Sequence, residues 1–592
     1  MAVWPRPQLA ATRPIVMGTH GVAVSGHHHA SDAGIQIMRQ GGNAVDAGVA
    51  TVLAQSVVEF DRFGLGGECP ILIYLADKGK VVAINGNGNA PAAATVEWFK
   101  SRNLPQIPGD GFLAATVPAA LGSLIVALDE FGTMPFADVV APAMELADHG
   151  FPVFPSWIDN LERVVPRFRA EWPSSAKVFL VDGRAPNAGD ILVQKDLART
   201  FKRLVEAENE HKAEGRSAGL RAVYDRFYKG DIGREVVEFQ RNFKVRDSNG
   251  FESAGLLTVE DLADYRARSE APAKTTYRGV DIYKVGFWSQ GPVLLQALNL
   301  LEGYDLKSLG HNSAEYIHLV AEAMKLAYAD REWYYADPNY VGVPEQGLLS
   351  KEYANERRKL ISRETPSLAM RPGNPYPFHP KQMAHGPIPE TLNLRPSEGG
   401  TTGTRVADRA GNIFSATPSG GWFTSSPIIE GLGFVLGTRA QAFWLDPAKS
   451  NSIAPRKQPR TSLTPSLAVK DGKPYLAWGT PGGDIQDQVN IQVALNVIDF
   501  GMTIQEAIDA PFFQIFDFPT SFEGHSSRPG TMAVESRIPV EVAAGLEAKG
   551  HKVRRVGNWS MGDATAAMVD IDRGVLLGAA GPRRDKSYAL AY

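Results

Sequence analysis

The feature that most constrains this chain is an interruption. Eight prolines, from Pro366 to Pro396, fall between residues 363 and 400. Proline fixes its own φ, lacks an N–H and pushes the preceding residue out of the helical region, so no helix or central strand can run through such a stretch. The spacing predicts a long exposed loop, and long loops in compact domains are usually functional or disordered. The loop ends at Glu398-Gly399-Gly400-Thr401-Thr402. Helical periodicity dominates before it and short alternating strands after it. The fold must be assembled from two stretches of one chain that meet at this junction.

Before the loop, residues 15–26 read as strand with a glycine break. His27-His28-His29 follows, but adjacent histidines diverge on a strand or loop, and no metal is expected there. Ser31 is expected to cap a helix that ends at Gly41-Gly42. Residues 45–58 are small and apolar all round, which predicts a core helix. Residues 71–75 and 80–85 read as a hairpin. Helices are expected at 119–131, 136–148, 196–206, 259–268, 292–301 and 313–331, with Thr258 and Ser313 as caps. Residues 208–254 are charged and weakly patterned and read as a surface excursion, with a helical option at 235–243. After Thr401, strands are expected at 404–406, 413–417, 433–436, 467–470 and 474–478. Helices follow at 485–500, 504–510 and 539–549, and a final hairpin at 566–570 and 575–580. Helices outside strands drawn from both sides of the junction predict a layered α+β sandwich.

Composition narrows the function. A net charge of −4 on 592 residues leaves no basic field for nucleic acid or an anionic membrane surface. The single cysteine, Cys69, excludes intrachain disulfides and argues against a cysteine metal site. The N-terminal residues lack an apolar signal core and no apolar run is long enough to span a bilayer, so a cytoplasmic location is expected. No Gly-x-Gly-x-x-Gly opens a helix after a strand, and neither Gly-x-Ser-x-Gly nor His-Glu-x-x-His occurs. No cofactor is expected.

Thr401 has a chemical case of its own. A threonine hydroxyl is a poor nucleophile until a base takes its proton, and the α-amine of an N-terminal threonine can be that base. An α-amine titrates near pH 8, suited to such work at neutral pH. Gly399 and Gly400 permit a strained backbone in which the Thr401 hydroxyl reaches the Gly400 carbonyl, so Gly400–Thr401 is a candidate scission site. Farther on, Gly479-Thr480-Pro481-Gly482-Gly483-Asp484 lies between an expected strand and helix, where backbone N–H groups can form an oxyanion hole. The plainer readings are a loop entering a strand and a glycine turn.

Gly400-Thr401-Thr402-x-x-x-Val406-x-Asp408-x-x-Gly411-Asn412 resembles the start of the small subunit in the γ-glutamyltransferase family (glutathione hydrolases) of N-terminal nucleophile hydrolases. Gly41-Gly42-Asn43-Ala44-Val45-Asp46-Ala47, Gly64-Leu65-Gly66-Gly67, Phe131-Gly132-Thr133-Met134-Pro135, Pro481-Gly482-Gly483 and Gly501-Met502 extend the likeness through nearly the whole chain. The resemblance implies a four-layer αββα sandwich, self-cleaved into a large subunit, 1–400, and a small one, 401–592, that stay together. It implies Thr401 as nucleophile, Ser419 as the group orienting it, Gly482 and Gly483 as oxyanion donors, and Thr461 and Ser462 in the substrate pocket. Two positions depart from the pattern: Asn87 stands where the family has its glutamate-binding arginine, and Gln441 where it has the aspartate that receives the ammonium. Losing both charged partners should cost several kcal/mol of γ-glutamyl recognition.

Asn85-Gly86-Asn87-Gly88-Asn89-Ala90-Pro91, Leu445-Asp446-Pro447 and Gly482-Gly483-Asp484-Ile485-Gln486-Asp487-Gln488 resemble instead the family's amidohydrolase branch, which includes oxamate amidohydrolase and cephalosporin-acylase-like enzymes. Arg405, Arg439 and Arg460 are candidate ligands for a substrate carboxylate, Arg439 the strongest, against a structural ion pair for each. The expectation is a threonine amidohydrolase acting on a small amide with an acidic acyl group, by hydrolysis or acyl transfer. A γ-glutamyl hydrolase with a rearranged pocket and an inactive family member serving as a binding protein stay open as alternatives.

Overall fold

The computed structural model describes residues 11–378, 400–584 and 586–592. Most of the proline-rich stretch, 379–399, lies outside them, including Gly399.

The organising element is the helix Ala44–Val58, every residue of which is buried. Its start is fixed by the motif that precedes it. The Asn43 side chain accepts the N–H of Val45 at 2.8 Å and of Asp46 at 3.0 Å, and Asp46 accepts the Asn43 N–H at 2.9 Å. Asp46 also receives the Thr133 hydroxyl at 2.7 Å and the Met134 N–H at 3.1 Å, so one carboxylate joins two distant motifs.

Two seven-stranded sheets carry the fold. In one, the strands Thr404–Asp408 and Ile413–Ala416 are inserted between Gly21–Ser25 and Ile71–Leu75, all antiparallel. The other pairs Val280–Lys284 with Ser466–Lys470, then Lys473–Gly479, Thr565–Asp570 and Val575–Ala580. Each sheet therefore mixes chain from both sides of Thr401. Apolar side chains such as Val22, Leu72, Ala407, Leu467, Ala477 and Val569 fill the space between the sheets. Ala44–Val58 belongs to a second cluster, and Pro292–Leu301, Ala314–Tyr334 and Gln486–Ile498 to a third. The result is the αββα sandwich expected from the resemblance.

Several local expectations are corrected. The first helix is His28–Arg39, capped by His27 rather than Ser31, whose hydroxyl instead donates to the Tyr588 carbonyl at 2.8 Å. The three histidine rings lie against one another, with centroids 4.1 to 5.4 Å apart. Residues 208–254 are not an excursion: Arg216–Tyr228 and Asp231–Asn242 are helices that bury Phe227, Ile232 and Val236. The helix expected over 259–268 stops at Asp264, and Arg268–Glu270 adds a strand beside Lys80–Asn85. No strand forms at 433–436, because Gly431 and Gly433 turn the backbone to φ +82° and +77°. A hairpin that the helical reading passed over, Ala273–Tyr277 and Val280–Lys284, completes the second sheet. Among the described residues no helix is long and apolar enough to cross a membrane.

Candidate active site

Thr401 is 4% exposed and sits just before its strand, held by an isolated antiparallel bridge to Ser419. The Thr402 N–H donates to the Pro418 carbonyl at 3.0 Å, and Ser419 and Glu68 exchange backbone hydrogen bonds at 2.8 and 3.0 Å. These bonds bring together three segments that are far apart in sequence. The Thr401 and Ser419 hydroxyl oxygens are 3.2 Å apart, and the Ser419 hydroxyl donates to the Gly400 carbonyl at 2.5 Å. Gly400 is required for space: a Cβ there would lie 2.4 Å from Arg62 Cα.

Behind Ser419 stands a pair that sequence reasoning saw only in part. Arg439 donates through Nη2 to Ser419 Oγ at 3.1 Å and through Nε to Glu68 Oε2 at 2.7 Å. Both side chains are almost fully buried. Burial pushes the Glu68 carboxyl up and the Arg439 charge opposes that. On the other side of Thr401, Glu59 accepts the Thr402 hydroxyl at 2.7 Å. Gln55 donates to Thr402 Oγ1 at 2.8 Å and to the Gly403 carbonyl at 3.1 Å. Burial raises the Glu59 carboxyl, with Arg62 and Lys586 countering it. Glu59, Gln55 and Glu68 were not picked out from the sequence. For Glu68 the available signal was a lone acid inside a glycine-rich and apolar run, which needs a buried partner.

A cleft of about 1010 Å³ opens over Gly400. Gly482 and Gly483 line it. Their φ values of +121° and +62° lie in the region that L side chains avoid, and among the described residues neither N–H has an acceptor. Five arginines line the same cleft, Arg62, Arg163, Arg167, Arg528 and Arg584, with Trp422, Phe423 and Phe522. Arg167 is paired with Asp110 at 2.5 Å, and Arg62 lies 3.5 Å from Asp61. Among the described residues Arg528 and Arg584 have no carboxylate within ion-pair distance. Thr401 itself lines a much smaller void, together with Glu59, Arg62, Asp563, Arg584 and Lys586. Burial pushes the Asp563 carboxyl up to about 6.

The remaining candidates stand away from the cleft wall. Asn87 is fully buried, its amide donating to the Pro459 carbonyl at 2.6 Å. Gln441 donates to the Gly109 carbonyl and accepts the Glu523 N–H, both at 3.2 Å, and so holds two residues that do line the cleft. The Thr461 backbone bonds to Trp288 and Gln290, and Ser462 has a buried hydroxyl with no partner among the described residues. Arg460 pairs with Glu332 at 2.8 Å. Arg405 is buried and donates to the Thr404 carbonyl at 2.6 Å and to that of Ala416. Burial lowers its guanidinium to about 9.

Comparison with known proteins gives the family. A family model described as gamma-glutamyltranspeptidase matches residues 30–591. A glutathione hydrolase proenzyme of Pseudomonas sp. (strain A14) is 31% identical, over 98% of this chain and 96% of that protein. An acylase ACY 1 proenzyme of Pseudomonas sp. (strain SE83) is 35% identical, over 91% of this chain and 88% of that protein. The crystal structure of a cephalosporin acylase from Bacillus halodurans superposes with a TM-score of 0.83 at 30% identity, over 100% of this chain and 98% of that one. The chain therefore belongs to the gamma-glutamyltranspeptidase family of self-processed N-terminal nucleophile hydrolases.

Proposed function

We propose that the chain cuts itself between Gly400 and Thr401 and then, with Thr401 as nucleophile, hydrolyses an amide whose acyl group is acidic. The observation that carries this reading is the convergence of Thr401 Oγ1, Ser419 Oγ and the Gly400 carbonyl, in contacts of 3.2 and 2.5 Å, beneath a cleft that Gly482 and Gly483 also line. Thr401 attacks the substrate carbonyl, its α-amine carries the proton, and the Gly482 and Gly483 N–H groups receive the oxyanion. Water resolves the acyl-enzyme; an amine would do so in transfer.

The acidic group is read from the cleft. Arg439, the first choice from sequence, is committed to Glu68 and Ser419. Arg528 and Arg584 line the cleft without a carboxylate among the described residues, and an arginine fork suits a carboxylate on the substrate. Asn87 and Gln441 offer no charge for a γ-glutamyl carboxylate and ammonium. The test is a panel in which a γ-glutamyl anilide is compared with oxamate and with acyl amides bearing and lacking a carboxylate. Turnover should favour the carboxylated acyl amides. Preferred turnover of the γ-glutamyl anilide would refute the substrate assignment.

A further inference from the structure

The Glu68–Arg439 pair is buried and does not line the cleft over Gly400, yet one of its donors ends on the hydroxyl beside the scissile carbonyl. A serine hydroxyl has one proton and two lone pairs. At Ser419 all three are assigned. The proton goes to the Gly400 oxygen, and Arg439 Nη2–H occupies one lone pair. The contact with Thr401 Oγ1 at 3.2 Å must then be made by the Thr401 proton pointing at the second lone pair. Without Arg439 the Ser419 hydroxyl could turn, and this order would be lost.

From this we infer that Ser419 is a proton relay for self-cleavage, and that Arg439, held by Glu68, is the residue that positions it. The inference rests on cleavage at Gly400–Thr401. In the first step the Thr401 oxygen bonds to the Gly400 carbonyl carbon. Its proton passes to Ser419 Oγ while Ser419 gives its own proton to the Gly400 oxygen, which takes up the carbonyl π electrons. The adduct is neutral, and no separate base is consumed. As the adduct collapses the C–N bond breaks, its electron pair stays on nitrogen, and the adduct's hydroxyl proton moves to that nitrogen. This leaves a Gly400 ester on Thr401 Oγ1 and a free α-amine. Water hydrolyses the ester to the Gly400 carboxylic acid and restores the Thr401 hydroxyl. The buried Arg439 cation also opposes charge build-up on Ser419 if the two proton transfers are not synchronous.

The experiment follows conversion of the purified full-length chain to its fragments on denaturing gels. Wild-type cleavage should be nearly flat from about pH 7 to about pH 9, where the Asp563 carboxyl in the same void is already ionised, because the relay returns as many protons as it takes. Arg439→Gln should slow cleavage by about 10- to 100-fold and make it rise with pH, as an external base takes over. Arg439→Gln leaves Glu68 unpaired, so Glu68→Gln/Arg439→Gln, a neutral hydrogen-bonded pair, guards against a folding defect and should be equally slow and equally pH-dependent. Wild-type cleavage with a double variant that keeps pace, or one that is slow with a flat pH profile, would overturn the relay and leave the proposed function standing. A wild-type chain that stays whole would bring down both.

Discussion

Asp408 Oδ2 accepts the Ala44 N–H at 2.9 Å, so the strand that leaves Thr401 is tied to the first turn of the fully buried helix. The same carboxylate accepts the Ala410 N–H at 2.9 Å and the Asn412 side-chain amide at 2.9 Å, and Asn412 in turn accepts the Ala76 N–H. One acidic side chain thus sets the turn after the strand, the helix cap and, through Asn412, the neighbouring hairpin. Asp408→Ala should cost about 2–4 kcal/mol, since it strands several buried donors. Urea unfolding of the variant beside the parent measures it, and a change under 1 kcal/mol would contradict the assignment.

Lys284 and Asp487 are wholly buried, with Nζ 3.0 Å from Oδ1. Burial drives the lysine's pKa down and the aspartate's up, each opposed by the other's charge. Lys284 also donates to the Thr464 carbonyl and the Ser466 hydroxyl, joining a strand end to the start of Gln486–Ile498. Lys284→Met should lose about 3–5 kcal/mol by leaving a buried carboxylate unpaired. Lys284→Met/Asp487→Leu should recover most of that loss, because an apolar pair avoids the desolvation cost. Chemical denaturation of both variants, read as a double-mutant cycle, decides it.

Much of the fold was legible for local reasons. Residues 45–58 are apolar on every face, and the helix Ala44–Val58 is buried on every face. The 71–75 and 80–85 runs alternate and form the hairpin Ile71–Leu75 and Lys80–Asn85. The Ala273–Tyr277 and Val280–Lys284 hairpin was equally legible. It has β-branched and aromatic residues on either side of Arg278-Gly279, whose φ values of +47° and +78° match a tight hairpin turn. It was missed because its neighbours are helices. The site was less legible. Thr401 could be argued from its own chemistry and Ser419 by resemblance. Glu68 and Arg439 are 371 residues apart and meet only because one sheet interleaves the two stretches of chain. Nothing local encodes that contact.

Acid should weaken the fold through a buried histidine pair. His318 Nδ1 and His551 Nε2 are 2.8 Å apart, and His318 Nε2 donates to the Ser362 carbonyl at 2.9 Å. With both rings neutral, as burial favours, His318 Nδ1 accepts and His551 is the donor. Burial first, then Lys325, His318 and Lys549, lowers His551 to about 3, and burial lowers His318 against the pull of Glu322. A histidine with a depressed folded pKa stabilises above its unfolded value of about 6.5. That contribution fades as pH falls below 6.5, because the unfolded chain binds more protons, with a limiting slope of about 1.4 kcal/mol per pH unit for each proton. Urea midpoints should fall from pH 7 to pH 5, and less steeply in His551→Gln. An equal slope in the variant would remove His551 from the account.

Gly400 tests geometry at the proposed scission site. The Cβ of Gly400→Ala would lie 2.4 Å from Arg62 Cα and 2.7 Å from the Asp61 carbonyl, so the Gly400–Thr401 peptide has to move. A displacement of that size should slow self-cleavage by about 100-fold without altering the circular dichroism spectrum. Cleavage at the parental rate would show that the Gly400 carbonyl need not sit where Ser419 meets it.

The central claim is tested most directly by the mass and N-terminal sequence of the purified wild-type protein beside Thr401→Ala. The account predicts a wild-type fragment beginning Thr401-Thr402-Gly403, and a Thr401→Ala chain that stays whole and hydrolyses no amide. An uncut wild-type chain, or a Thr401→Ala protein that still cleaves or still turns over substrate, would contradict it.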